Sequence, residues 1–198
     1  MTINSFKILL CVVCLDMLSL AGSCNNAFAV VADTIPSPAL YSQLEAFHGH
    51  VCAGSIFGAR LGFAAKEALK VAGGKGKLSA QYYNLSCPVD GIQVAAGTTY
   101  GNKALTVQDQ EEHRLVLTAE ENKLAVEAKL TKRAEEMGIK SRDLKKKAKE
   151  LPSNASERLQ LEQEVEEIYS WLKNAPTDEV VILTTLNMKG KTTSLANP

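Results

Sequence analysis

Neither sign of charge is in excess. The 198-residue chain carries 22 Lys and Arg against 22 Asp and Glu, a formal net charge of zero. The basic surplus that a nucleic-acid or anionic-membrane partner would call for is therefore missing. Cysteine is scarce as well. Of five, Cys11, Cys14 and Cys24 fall before residue 30, leaving Cys52 and Cys87 for the rest of the chain. Two cysteines are too few for a disulfide framework. No phosphate loop is present: GGKGK at 73–77 lacks the Gly-x-x-x-x-Gly-Lys-Ser/Thr spacing and follows a helical pattern instead of preceding one. No long repeat recurs. What remains is an apolar fraction of 45%, ordinary for a globular protein and enough for one domain with a core.

The first residues read as a targeting segment. Lys7 precedes the apolar run ILLCVVCLDMLSLAG, and Ala27-Phe28-Ala29 has the small-residue form that signal peptidase accepts. The run is short and broken by Asp16, which argues against a transmembrane helix. Residues 1–29 are expected to be a signal peptide, giving an exported chain in the periplasm or cell envelope with no transmembrane span after processing. A rival reading takes Leu20 to Cys24 as a lipoprotein box, with a lipid anchor at Cys24.

Periodicity divides the remainder. Residues 30–39, with two prolines, read as a linker. Leu40 to Phe47 predict a short helix ending at Gly49. Residues 53–72 predict a central helix closed by Gly73-Gly74. Its Gly54, Gly58 and Gly62 share one face, and each costs about 1 kcal/mol relative to Ala in a helix interior. Close backbone approach of another element would offset that cost. Ser79 to Ser86 has strand character, and Pro88 opens a short helix to Gly97. Runs at 104–108, 113–118 and 123–130 predict an antiparallel meander. Residues 131–175 are charged and predict a helical hairpin, broken near Gly138, with Asn154 capping its second helix. In that helix Leu161, Val165, Ile168 and Leu172 form a narrow apolar seam. Residues 176–187 hold a closing strand, Glu179 to Leu186. The tail, 188–198, is expected to be flexible. The fold class is α+β: a mixed sheet with an antiparallel meander packed by helices, plus a helical-hairpin arm.

The chemistry gathers at FHGHVC, residues 47–52. His48, His50 and Cys52 lie two apart, so an extended segment would point all three to one side, whereas a helical turn would pair only His48 with Cys52. Cys52 precedes the central helix, and a thiol at a helix N-terminus is biased toward thiolate. Cys87 has the same setting before Pro88. Imidazole and thiolate suit zinc or another divalent transition metal. Asp90, in the first turn of the second helix, could ligate or orient a histidine. From these residues alone a metal site, a Cys52–Cys87 disulfide and a buried core cysteine all stay open. A catalytic thiol lacks a marked base. His113 reads as a solvated strand residue, and LKKKAKE at 144–150 as a solvated helix face.

Two blocks carry a resemblance. FHGHVCAGSIFGARLGFAA resembles the opening motif of the FmdE family of formylmethanofuran dehydrogenase proteins, Phe-His-Gly-His-x-Cys-Pro-Gly followed by Gly-x-Arg-x-Gly. CPVDGIQVAAGTTYGNKAL is similar to its second block, Cys-x-x-Asp-Ala-Ile-Gln with Gly-Cys-Thr beyond. Together with the meander after them, the likeness covers residues 40–130. Ala53 stands for a usual Pro, Gly91 for Ala and Thr98 for a further Cys. A cysteine-rich C-terminal ribbon that some members carry is replaced by the charged hairpin. The resemblance implies a core similar to the catalytic domain of glyceraldehyde-3-phosphate dehydrogenase, a homodimer, and a metal-binding cleft built on His48, His50, Cys52, Cys87 and Asp90.

The expected function is that of an exported FmdE-like metal-binding protein, serving metal handling or an associated redox or one-carbon system. Two alternatives stand beside it. One is a metal-dependent enzyme acting on a small molecule, its pocket lined by Tyr100, Arg60 or Gln93. The other is a disulfide-stabilised interaction module.

Overall fold

A computed structural model describes residues 30–187 and 191–192. The leader at 1–29 and the tail segments 188–190 and 193–198 lie outside the described residues. The elements in order are α1 (Pro38–His48), α2 (Ala53–Val71), β1 (Leu78–Tyr82), α3 (Pro88–Ala96), β2 (Leu105–Val107), β3 (Arg114–Ala119), β4 (Leu124–Leu130), α4 (Lys132–Lys149), α5 (Ser156–Asn174), α6 (Thr177–Val180), β5 (Val181–Asn187) and β6 (Lys191–Thr192). The fold is α+β with one mixed sheet, and none of the described helices is long and apolar enough to cross a membrane.

The sheet runs β2-β1-β3-β4-β5-β6. From β1 through β3 and β4 to β5 every pairing is antiparallel. The run at 104–108 departs from the expected meander: β2 pairs parallel to β1 at the edge. The cause is α3, which lies between the two strands in sequence. A crossover through a helix returns the chain parallel, whereas a tight turn would return it antiparallel. Strand β4 keeps the alternation read from sequence in its second half, with Val126, Ala128 and Leu130 buried and Lys129 exposed, while Ala125 on the opposite face is buried as well.

Helix α2 is the hub. Thirteen of its nineteen residues are buried, so it is enclosed on most sides and not merely laid on a surface. It packs on β3 and β4, and on its glycine face against α3. The glycines are required there. A Cβ on Gly58 would sit 1.9 Å from the Pro88 carbonyl oxygen, and one on Gly62 would sit 3.1 Å from Ala95 Cβ. Gly91 answers from α3, where a Cβ would meet the Ser55 carbonyl oxygen at 2.2 Å. The two helices thus touch backbone to backbone, and their N-termini, with Cys52 and Cys87 at the cap positions, come side by side.

The charged segment folds as two long helices, and they lie on the body of the protein. α4 and α5 pack on each other and both reach α2. Ala134, Ser141, Leu144 and Ala148 of α4 are buried, as are Val165, Ile168, Tyr169 and Leu172 of α5, three of them from the expected seam. α4 is unbroken at Gly138. That glycine is there for space: a Cβ would lie 2.4 Å from Cζ of Phe57. Asn154 does not cap α5. Ala155 holds the cap position without a side-chain bond and donates its backbone N–H to the Pro152 carbonyl. At the far end Arg60, 1% exposed, donates from Nη1 to the Lys173 carbonyl and from Nη2 to those of Ala175 and Pro176.

Two boundaries shift. Glu179 belongs to the short helix α6, so the closing strand starts at Val181. Lys191 and Thr192 pair with β5, so the segment beyond Asn187 contributes a short strand. In the segment expected as a linker, Val31 is 1% exposed and joins the core.

Candidate metal site and cleft

His48 ends α1, and Gly49 follows in the left-handed region at φ 85°, donating its N–H back to Glu45. A side chain there is strained, which is why glycine separates the histidines. The turn brings the His48 and His50 rings to 4.7 Å between centroids. The chain then extends to Cys52, whose φ of −136° sets it up as the α2 N-cap. Neither of the two simple geometries applies: helix end, bend and cap together gather His48, His50 and Cys52, with one ligand atom from each within 4.8 Å of the others.

Cys52 is held on several sides. The Ser55 amide donates to its Sγ at 3.4 Å, while the Cys52 amide donates to Ser55 Oγ at 3.0 Å, a reciprocal cap. Burial alone would raise the thiol. The Ser55 amide and hydroxyl, the Cys87 thiol and the His48 imidazole outweigh it, and Cys52 ends below its ordinary value. Cys87 shifts upward, through burial and then the negative charge of Cys52. The two thiols are therefore pushed apart, Cys52 toward easier ionisation and Cys87 away from it. Both are free, with no disulfide between them.

Asp90 takes the orienting position. Its Oδ2 lies 2.6 Å from His48 Nδ1. Gln93 Nε2 donates to Asp90 Oδ1 at 3.2 Å, and the Tyr100 amide donates to Gln93 Oε1 at 3.0 Å. The Asp90 hydrogen bond raises the His48 value above its usual 6.5, against a lowering by burial and with help from Cys52. With Nδ1 engaged, Nε2 is the nitrogen left facing Cys52 Sγ, 4.0 Å away. Two such donors on one tetrahedral zinc-like ion stand about 3.5 Å apart, given bonds of about 2.0 and 2.3 Å. A carboxylate behind a histidine is the usual outer support of a metal ligand. The His/Cys cluster thus fits a divalent transition metal, which it could hold.

The cluster opens onto a cleft of about 790 Å³. His50, Cys52 and Cys87 line it, as do His113 and the face of α4 that carries Arg142 and Lys145. Sequence reasoning missed His113. It precedes β3 and is half-buried, with Nδ1 2.8 Å from the Tyr82 hydroxyl and its ring edge against Phe57. Burial lowers its pKa, which favours the neutral imidazole. Nothing local marks it. The pairing of Tyr82 with Leu115 across β1 and β3 carries it there. The expected pocket residues do not serve: Arg60 is buried at the end of α5, Tyr100 is 78% exposed, and Gln93 supports Asp90. Thr98 is buried and is not among the cleft-lining residues.

Comparison with known proteins gives a family and a fold. The family model described as FmdE, molybdenum formylmethanofuran dehydrogenase operon, matches residues 47–182. That span includes the two charged helices, beyond the blocks at 40–130 that carry the likeness in sequence. Among solved structures, a tungsten formylmethanofuran dehydrogenase FmdE-like protein from Syntrophus aciditrophicus is similar. It is 22% identical, with a TM-score of 0.50, over 74% of this chain and 70% of that one, a likeness of fold. No curated protein matches the chain. A family match over most of its length, taking in both histidines and both cysteines of the cleft, makes this chain a member of the FmdE family.

Proposed function

We propose that this chain is an exported metal-binding protein of the cell envelope, acting in metal handling, with zinc or a similar divalent ion as its cargo or cofactor. The observation that supports it is the convergence of His48, His50 and Cys52 within 4.8 Å, backed by Asp90 on His48 Nδ1. In this reading His48, His50 and Cys52 are ligands, Cys87 is the adjacent thiol available as a fourth, and Asp90 orients. The signal-peptide reading of residues 1–29 supports an envelope location, and homodimerisation is part of the same proposal. Elemental analysis of protein purified under reducing, chelator-free conditions tests the site. One ion per chain in the wild type and none in Cys52→Ala is the expected result. No ion in either would sink the proposal.

A metal-dependent enzyme is the second reading, and the cleft is what favours it. A bound zinc-type ion supplies Lewis acidity and an acidified water. His113, an imidazole that lines that cleft, would be the residue to accept a proton there. The disulfide module is disfavoured by the two free thiols. Alkylation and mass spectrometry of the unreduced protein should count both.

A further inference from the structure

Helix α4 presents an unexplained charge pattern to the cleft. Arg142, Lys145, Lys146 and Lys149 all line it. Their spacing, i, i+3, i+4, i+7, puts four like charges on one helical face, where neighbours repel by a few tenths of a kcal/mol each. Among the described residues none of the four has a carboxylate within 4.0 Å, although α4 forms ion pairs elsewhere, Lys132 with Glu136 and Lys140 with Glu164. The helix dipole accounts for cations in the last turn, Lys146, Lys147 and Lys149, but not for Arg142 and Lys145. Lys145 is half-buried, its Nζ 5.8 Å from the Tyr169 ring centroid, so it is directed rather than splayed into water. Two carboxylates share the cleft, Glu111 and Glu135, and leave the α4 side with a surplus of positive charge.

We propose that the cleft binds a small organic anion, a carboxylate- or phosphate-bearing molecule, whose charged end is held by Arg142, Lys145, Lys146 and Lys149 while its other end reaches the His50 and Cys52 side. A volume of about 790 Å³ suits a metabolite-sized ligand. The inference rests on the metal-site reading for the far end of the ligand, whereas the cationic wall exists with or without an ion.

Calorimetric titration of the full chain, in metal-free and zinc-loaded forms and at low salt, is the test. Succinate and inorganic phosphate are the probes, and succinamide is the uncharged control. One site per chain for succinate or phosphate is expected, weakened by added salt, with succinamide silent. Lys146→Gln and Lys149→Gln should each weaken binding about threefold and together about tenfold, as for partly exposed charge contacts. Lys147→Gln, whose side chain is not among the lining residues, should change nothing. Zinc uptake with no response to either anion would overturn the anion site and leave the metal site standing. Anion binding by a chain that takes up no zinc would uphold this proposal and overturn the other. Equal binding of succinamide, or an equal loss in Lys147→Gln, would also overturn it.

Discussion

At the scale of single residues, the site is built from groups whose duties can be told apart. Cys52 both caps a helix and ionises more readily than a free thiol, because the amide that satisfies the helix end also stabilises negative sulfur. Asp90 works through His48. Asp90→Asn should keep one ion per chain but weaken metal affinity about 10- to 100-fold, as removal of an outer carboxylate does. Competition against a chromophoric chelator would read this; an unchanged affinity would exclude the orienting role. The same pair gives the metal-free chain a pH signature. Because the folded-state value of His48 is raised, its contribution is fully present below 6.5, and it is lost as pH rises through the raised value. Melts of metal-free protein across that window should therefore show wild type losing ground to Asp90→Asn as pH rises. A difference that stays constant with pH would contradict the assignment.

At the scale of elements, the glycines decide. Those of α2 were legible as a face awaiting a partner, and α3 is that partner. Gly58→Ala should separate the two helices, costing about 1–3 kcal/mol as overpacking does. It should also weaken metal binding, since the caps that carry Cys52 and Cys87 move apart. Gly138 gives the sharper test, because sequence and structure disagree on sign. Helix propensity alone would have Gly138→Ala stabilise by about 1 kcal/mol. The Phe57 ring, 2.4 Å from the new Cβ and buried at 5% exposure, makes the expected change a loss of about 1–3 kcal/mol. Urea denaturation distinguishes the two.

At the scale of the molecule, two devices join the charged helices to the body. One is Phe57 against Gly138, and the other is Arg60 reaching the carbonyls that end α5. Arg60→Met should cost about 1–3 kcal/mol, because the carbonyls of Ala175 and Pro176 lose a charged donor in a buried setting, while that of Lys173 keeps the Tyr41 hydroxyl. If the metal is bound as proposed, at about 100 times its dissociation constant it adds about 2.7 kcal/mol, so a chelator should lower the melting temperature by about 5–10 °C. Cys52→Ala should melt at the same temperature with and without chelator.

Sequence by itself determined the elements and the local chemistry. Helix and strand periods, glycine ends and the placing of Cys52 and Cys87 before two helices are short-range facts, set by backbone sterics and by which face each residue lies on. The family blocks likewise identify His48, His50, Cys52 and Cys87 as a group. Tertiary structure alone decided what the groups face. The parallel placing of β2, the arrival of His113 beside Tyr82, the turning of Asp90 onto His48 and the folding of α4 over the cleft each depend on contacts between distant segments. A stripe of lysines at helical spacing looks the same in sequence whether it meets water or a cleft. The packing of Gly138 on Phe57, an encounter across 81 residues that no local pattern encodes, helps bring α4 to the cleft's edge.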